Sequence, residues 1–312
     1  MIHIPVLKNE ISTFLNVKHG GIYVDCTAGR GGHISSILDL RKDILVVGID
    51  KDPVNASFLE KEFKDKEVKV ACSDYKYLDD VLSFYNIKEV DGIIFDLGFS
   101  SVHIDDAKRG FSFNKDGPLD MRYDTRQKLT AEIVVNEYTA SQLQKIIKEY
   151  GEETFHRGII SAIIEQRSKA RITSTKQLRN IIHGAIPSRF KKNRNVDPAT
   201  KTFQAIRIEV NSELDSLGVG IDKAVGALKS GGRICVISFH SVEDRIVKRK
   251  FNGYANPCVC PRNLAQCLCG KKPVLKLIVK TPILPSDEEI HLNPRSRSAK
   301  LRVAEKIKGQ NS

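Results

Sequence analysis

Four short apolar runs, at residues 22–26, 45–49, 68–72 and 92–96, punctuate the first third of the chain. Between them lie segments whose apolar residues fall at helical spacing, such as 55–63. That alternation predicts a parallel β-sheet with helices on its faces. From Thr130 to about Leu217 only the helical period remains, clearest at 141–147 and 159–164. A glycine turn and an apolar strand return at 231–239, and 276–279 and 299–304 read as antiparallel edge strands. The helical stretch is therefore expected to be an insertion: residues 1–108 and 218–312 form the sheet domain and 109–217 an all-helical domain. There is no internal repeat and no low-complexity tract.

The first strand runs into a glycine-rich turn, Asp25-Cys26-Thr27-Ala28-Gly29-Arg30-Gly31-Gly32-His33. Such a turn is either an ordinary strand-to-helix connection or the floor of a nucleotide-cofactor pocket, where glycine permits positive φ and close backbone approach. A second strand, Val46-Val47-Gly48-Ile49-Asp50, ends in an acid about 20 residues on, where a ribose hydroxyl pair needs an acceptor. A dinucleotide site asks for a third glycine where this chain has Ile34. Asp25 before the loop would repel a diphosphate and attract an ammonium group. Both departures point to S-adenosylmethionine. The fourth strand ends in Asp96, which reads either as a contact to the cofactor's amine end and the incoming substrate or as a turn residue. Asp74-Tyr75 offers an acceptor and a stacking face for an adenine ring, or a tyrosine packed on the next helix.

Charge narrows the partner. Fifty Lys and Arg against 38 Asp and Glu give a formal net charge of +12, which favours a polyanion such as RNA. Arg109, Arg122, Arg295 and Arg297 are suited to phosphate by their forked donors, and 189–194 is a basic run in the helical stretch. The start, Met1-Ile2-His3-Ile4-Pro5, carries no secretion signal and no apolar run approaches a membrane span, so a cytoplasmic protein is expected. Seven cysteines then imply no disulfide scaffold. Cys258, Cys260, Cys267 and Cys269 could surround a zinc ion or form a reduced thiol-rich hairpin; their Cys-x-Cys spacing is tighter than the usual knuckle, and no metal is assigned. His240, just after the returning strand, reads as a substrate contact or as a turn residue beside a helix capped by Ser241. Phe111, Phe113 and Phe239 are candidates to receive an unstacked base, or members of the core.

These residues fall into ordered blocks: 3–10, 25–33, 91–101, 109–113 with 116–122, 150–153, 200–211, 237–245 and 293–298. Through them the chain resembles the ribosomal RNA small subunit methyltransferase H family over nearly its whole length. The resemblance implies a class I, Rossmann-like methyltransferase sheet with a helical insertion for substrate recognition. It implies S-adenosylmethionine as donor and N4-methylation of a cytidine in the decoding region of small-subunit (16S) rRNA. Carried over by position, the cofactor contacts are Gly31, Gly32, His33, Asp50, Tyr75, Asp96 and His103, and Asp96 and His240 are the catalytic candidates. Tyr75 stands where the family often has phenylalanine and His103 where it often has glutamine. A dinucleotide oxidoreductase would explain the glycine turn but not the charge or the later blocks. A non-catalytic rRNA-binding assembly factor would explain the charge but not the cofactor constellation.

Overall fold

The structure is a computed structural model that describes residues 5–98, 101–191, 196–261 and 267–307. His3 and Ile4 of the first block, Phe99 and Ser100 after the fourth strand, and Lys192, Asn193 and Arg194 of the basic run lie outside the described residues. Two compact units emerge, one from Met1–Gly98 with Leu214–Ser312 and the other from Phe99–Glu213.

Among its described residues the first unit holds seven strands: β1 (Ile22–Asp25), β2 (Leu45–Asp50), β3 (Val68–Cys72), β4 (Val90–Asp96), β5 (Leu228–Ser238), β6 (Leu275–Leu277) and β7 (Lys300–Lys306). They form one sheet in the order β3-β2-β1-β4-β5-β7-β6. β1 to β5 run parallel, while β7 is antiparallel to both β5 and β6. The two late strands are thus antiparallel as expected, but only β6 is an edge. β7 is hydrogen-bonded on both sides, which is why Leu301, Val303 and Ala304 are buried.

The continuous apolar runs follow from burial on both faces. Val24, Val47, Ile93, Phe95, Ile234 and Val236 pack into one core, and their neighbours Tyr23, Val46, Ile94, Cys235 and Ile237 into the other, as the two-residue period of a strand requires. Around the sheet lie α1 (Lys8–Phe14), α2 (Gly32–Leu40), α3 (Pro53–Glu62) and α4 (Leu78–Phe84). Asp52 caps α3 by accepting from Val54 N, with Pro53 at its first turn, a favoured pairing.

The second unit is helical: α5 (Ser101–Asp105), α6 (Ala131–Glu137), α7 (Ala140–Glu149), α8 (His156–Lys169), α9 (Thr175–Ala185), α10 (Ser188–Lys191) and α11 (Thr200–Asn211). Thr139 and Ser174 start α7 and α9 with capping boxes to Gln142 and Gln177. Its own core gathers Leu143, Ile146, Ile159, Ile163, Leu178, Ile182, Phe203 and Ile206. Arg207 and Glu213 form a buried two-pronged ion pair with both contacts at 2.9 Å. The chain then returns to the sheet unit through α12 (Glu213–Ala227), whose Leu217, Ile221 and Val225 join the sheet core, followed by α13 (Ser241–Ala255) and α14 (Asp287–Leu292). Among the described residues no helix is long and apolar enough to cross a membrane.

Candidate active site

In the parallel part of the sheet the strand order reverses between β1 and β4. Ligands of open α/β sheets bind beyond the carboxyl ends of the strands at such a switch point. There β1 ends in Asp25 and β4 in Asp96. Thr27 ties the two strand ends together, its Oγ1 accepting from Asp96 N at 2.6 Å. Thr27 was not singled out from the sequence; a short hydroxyl two residues past a strand-ending acid is the only signal it offers there.

Asp96 Oδ2 lies 3.4 Å from His33 Nε2, on the first turn of α2. His33 is only 4 % exposed and Asp25 only 1 %. Asp96 Oδ1 and both ring nitrogens of His33 are buried without a hydrogen-bond partner among the described residues, an arrangement that costs stability unless something else satisfies them. Burial would lower the His33 pKa, but the Asp96 carboxylate and, behind it, Asp25 outweigh burial and raise it. Burial pushes Asp25 up to about 6, against the opposing effects of the His33 charge and the Thr27 N–H.

The glycine loop is braced from below. Asp50 Oδ2 accepts from Gly29 N at 2.7 Å and its Oδ1 from Asp52 N at 2.8 Å, so the acid expected to meet a ribose also holds the loop's shape. Gly31 has φ +76, and a Cβ there would come within 2.4 Å of the Phe63 ring. At Gly32 a Cβ would meet Pro5 at 3.2 Å. Close approach by protein, not by a ligand, is therefore what these two glycines visibly permit. Gly31 is the N-cap of α2 and provides no side-chain cap, which leaves backbone N–H groups of the first turn to meet an anion.

Other sequence candidates sort differently. Tyr75 is half-buried, edge-on to Phe95 at 5.3 Å, and close enough to Gly220 on α12 that a Cβ there would meet its ring at 2.7 Å. Asp74 accepts from Lys51 Nζ, Lys76 N and Ser216 Oγ, each at 3.0 Å. It anchors internal structure where an adenine acceptor was expected.

His240 follows β5, whose Ile237 pairs with Asp96. The cap of α13 is His240 and not Ser241: its Nδ1 accepts from Glu243 N at 3.3 Å while Glu243 Oε2 accepts from Phe239 N at 2.9 Å. Its Nε2 lies 3.1 Å from Glu243 Oε1. The buried Glu243 was missed because a histidine cap lies outside the Ser/Thr-x-x-Glu pattern.

His103 belongs to the helical unit, buried beside Phe111 and Tyr123 at 5.0 and 5.1 Å between ring centres. Phe111 itself stacks on Tyr123, and Phe113 meets Phe203 edge-on, so both are packed residues. Phe239 remains half-buried at the end of β5. Two of the four arginines expected at phosphate are committed internally. Arg109 donates to the carbonyls of Arg122 and Tyr123, and Arg122 grips Asp120 and the carbonyls of Thr125 and Gln127. Arg295 and Arg297 are exposed.

A reversed final strand on a doubly wound sheet, a glycine turn opening a helix and acids at successive strand ends define a class I methyltransferase. The profile of the MraW methylase family matches residues 1–307. A protein of Caldicellulosiruptor saccharolyticus named ribosomal RNA small subunit methyltransferase H is 50% identical over 307 residues, covering 98% of this chain and 99% of its own. Proteins of the same name from Carboxydothermus hydrogenoformans and Clostridioides difficile are 47% and 46% identical, each over 98% of this chain, covering 98% and 99% of their own lengths. The chain belongs to the MraW methylase family.

Proposed function

We propose that this methyltransferase uses S-adenosylmethionine to methylate N4 of one cytidine in the decoding region of small-subunit (16S) rRNA. The observation that carries the reading is the buried Asp96–His33 pair at the switch point, with Asp96 Oδ1 and His33 Nδ1 meeting no partner among the described residues. Those unmet atoms, the uncapped start of α2 and the carboxylates of Asp25 and Asp50 fit a ligand that bears an ammonium, a carboxylate and a ribose. Asp25, Asp50 and Asp96 at adjacent strand ends suit a cation and disfavour a diphosphate. When bound, S-adenosylmethionine supplies an electrophilic methyl group.

Asp96 is the residue to receive the hydrogens of the attacking amine. A cytosine N4 shares its lone pair with the ring, and an acceptor that holds its hydrogens favours the pyramidal geometry needed for attack. No strong general base is required, because the cation formed sheds its proton readily to water or a nearby acceptor. Positioning for in-line attack supplies much of the rate. His33 keeps the Asp96 carboxylate oriented, and Phe239 is a half-buried ring on which an extruded base can stack. Gly31, Gly32, His33, Asp50, Tyr75, Asp96 and His103 are the proposed cofactor contacts, and 109–217 the substrate-recognition region. The relatives' name supports small-subunit rRNA as substrate.

Incubation with methyl-labelled S-adenosylmethionine and unmodified small ribosomal subunits, followed by mass-spectrometric mapping, tests the proposal. Label on a single cytidine N4 is expected. Label on another atom or another RNA would keep the methyltransferase and discard the substrate assignment.

A further inference from the structure

One cluster plays no part in the methyl-transfer site. The loop between α13 and β6 brings Cys258, Cys260, Cys267 and Cys269 together, with one sulfur atom of each within 4.8 Å of all the others. Four of the sulfur pairs lie 3.6 Å apart for Cys258 and Cys267, 3.9 Å for Cys260 and Cys267, 3.5 Å for Cys267 and Cys269, and 3.9 Å for Cys258 and Cys269. A tetrahedral zinc with Zn–S bonds of about 2.3 Å requires sulfurs about 3.8 Å apart. A disulfide requires about 2.05 Å, and all four are free thiols. We infer that Cys258, Cys260, Cys267 and Cys269 are the four ligands of a structural zinc ion.

The spacing that argues against an ordinary knuckle has a simple origin. Each Cys-x-Cys arm contributes both of its thiols to the cluster and leaves its middle residue outside it. The outward residues are Val259 and Leu268, 68 % and 78 % exposed. Among the described residues of this loop neither middle side chain is buried, so apolar packing of these two residues does not hold the thiols together. Leu268 N donates to Cys260 Sγ at 3.4 Å, the backbone-to-sulfur contact that neutralises thiolate ligands. Gly270 follows the second arm at φ +64, a turn suited to glycine. At its base the loop is closed by Val274 N donating to Tyr254 O at 2.8 Å. The ion would fasten the far end, each cysteine binding as thiolate with release of its proton.

Full-length protein purified under reducing conditions without chelator is to be assayed for metal by plasma mass spectrometry. One zinc per chain is expected, released by an organomercurial thiol reagent. Cys258→Ser and Cys269→Ser should each lower bound zinc at least tenfold, whereas Cys72→Ser, at an exposed cysteine outside the cluster, should retain it. Should the serine variants fail to fold, cobalt titration of zinc-stripped wild type decides, since four thiolates give intense tetrahedral cobalt absorption. Substoichiometric zinc with the four cluster thiols open to titration in addition to Cys72, a mass that reveals disulfides, or cobalt spectra lacking the tetrathiolate bands would overturn the assignment. None of these readouts depends on methyl transfer, so the site stands or falls apart from the proposed function.

Discussion

At the scale of single residues, the site concentrates charge where the fold least favours it. Asp25 is wholly buried with its pKa raised to about 6, above the 3.8 it has when unfolded. Between those values the folded protein holds a proton that the unfolded chain gives up, so the stability this group contributes is present below about pH 4 and is lost as pH rises towards about 6. Asp25→Asn removes that loss while keeping an acceptor for Thr27 N. It should stabilise the protein at neutral pH by on the order of 2–3 kcal/mol and flatten the pH dependence of unfolding between pH 4 and 6; thermal unfolding across that range checks it, and a variant with the wild-type slope would place the titration elsewhere. His33 adds a loss of the same sign above its unfolded value, because its pKa is also raised. Asp96 tests the chemistry. Asp96→Ala should lower the single-turnover transfer rate ~100-fold or more, as loss of one preorganised partner of the transition state does, with an unchanged circular dichroism spectrum. Near-wild-type turnover would remove Asp96 from the mechanism.

Among the elements, the glycine turn shows how a motif can be found for one reason and built for another. At Gly31 the alanine variant meets both a φ of +76 and the Phe63 ring. Gly31→Ala should cost about 2–3 kcal/mol in denaturant unfolding. Combined with Phe63→Leu the loss should be less than additive, since the second change removes the obstructing ring atoms but not the backbone strain. Strict additivity would mean the loop yields by moving. The start of α13 carries a parallel test: His240→Ala should lose about 1 kcal/mol of stability, while His240→Asn keeps a good cap and stays near wild type. A transfer rate that falls in the asparagine variant at full stability would assign the imidazole to the substrate. The strands and the change to an all-helical stretch were legible because burial on both sheet faces writes long apolar runs and helices write a 3.6-residue period. Partner choice was not legible. Asp74 and Arg122 have the chemistry of ligand contacts, yet Lys51, Ser216 and the 123–127 turn claim them through contacts distant in sequence or set by a local fold. Likewise β7 reads as an edge until the short β6 is seen to cover it.

For the whole molecule the decisive property is a net charge of +12, and its use depends on which cations remain available to a partner. Arg109 and Arg122 hold the helical unit's own backbone, so their removal should unfold structure before it weakens RNA affinity. Arg297 is exposed after α14, and Arg189 is exposed with its guanidinium 4.6 Å over the centre of the Phe190 ring. Binding that releases counterions weakens linearly in a plot of log affinity against log salt, with a slope of roughly 0.7–0.9 per phosphate neutralised. The Arg189→Gln/Arg297→Gln double variant should therefore bind unmodified small subunits more weakly at low salt and show a slope shallower by roughly 1.4–1.8, with thermal stability unchanged. Filter binding at a series of salt concentrations measures both quantities. A slope equal to wild type would show that neither arginine meets phosphate and that the excess charge acts at long range, steering the encounter without forming the contacts that hold it.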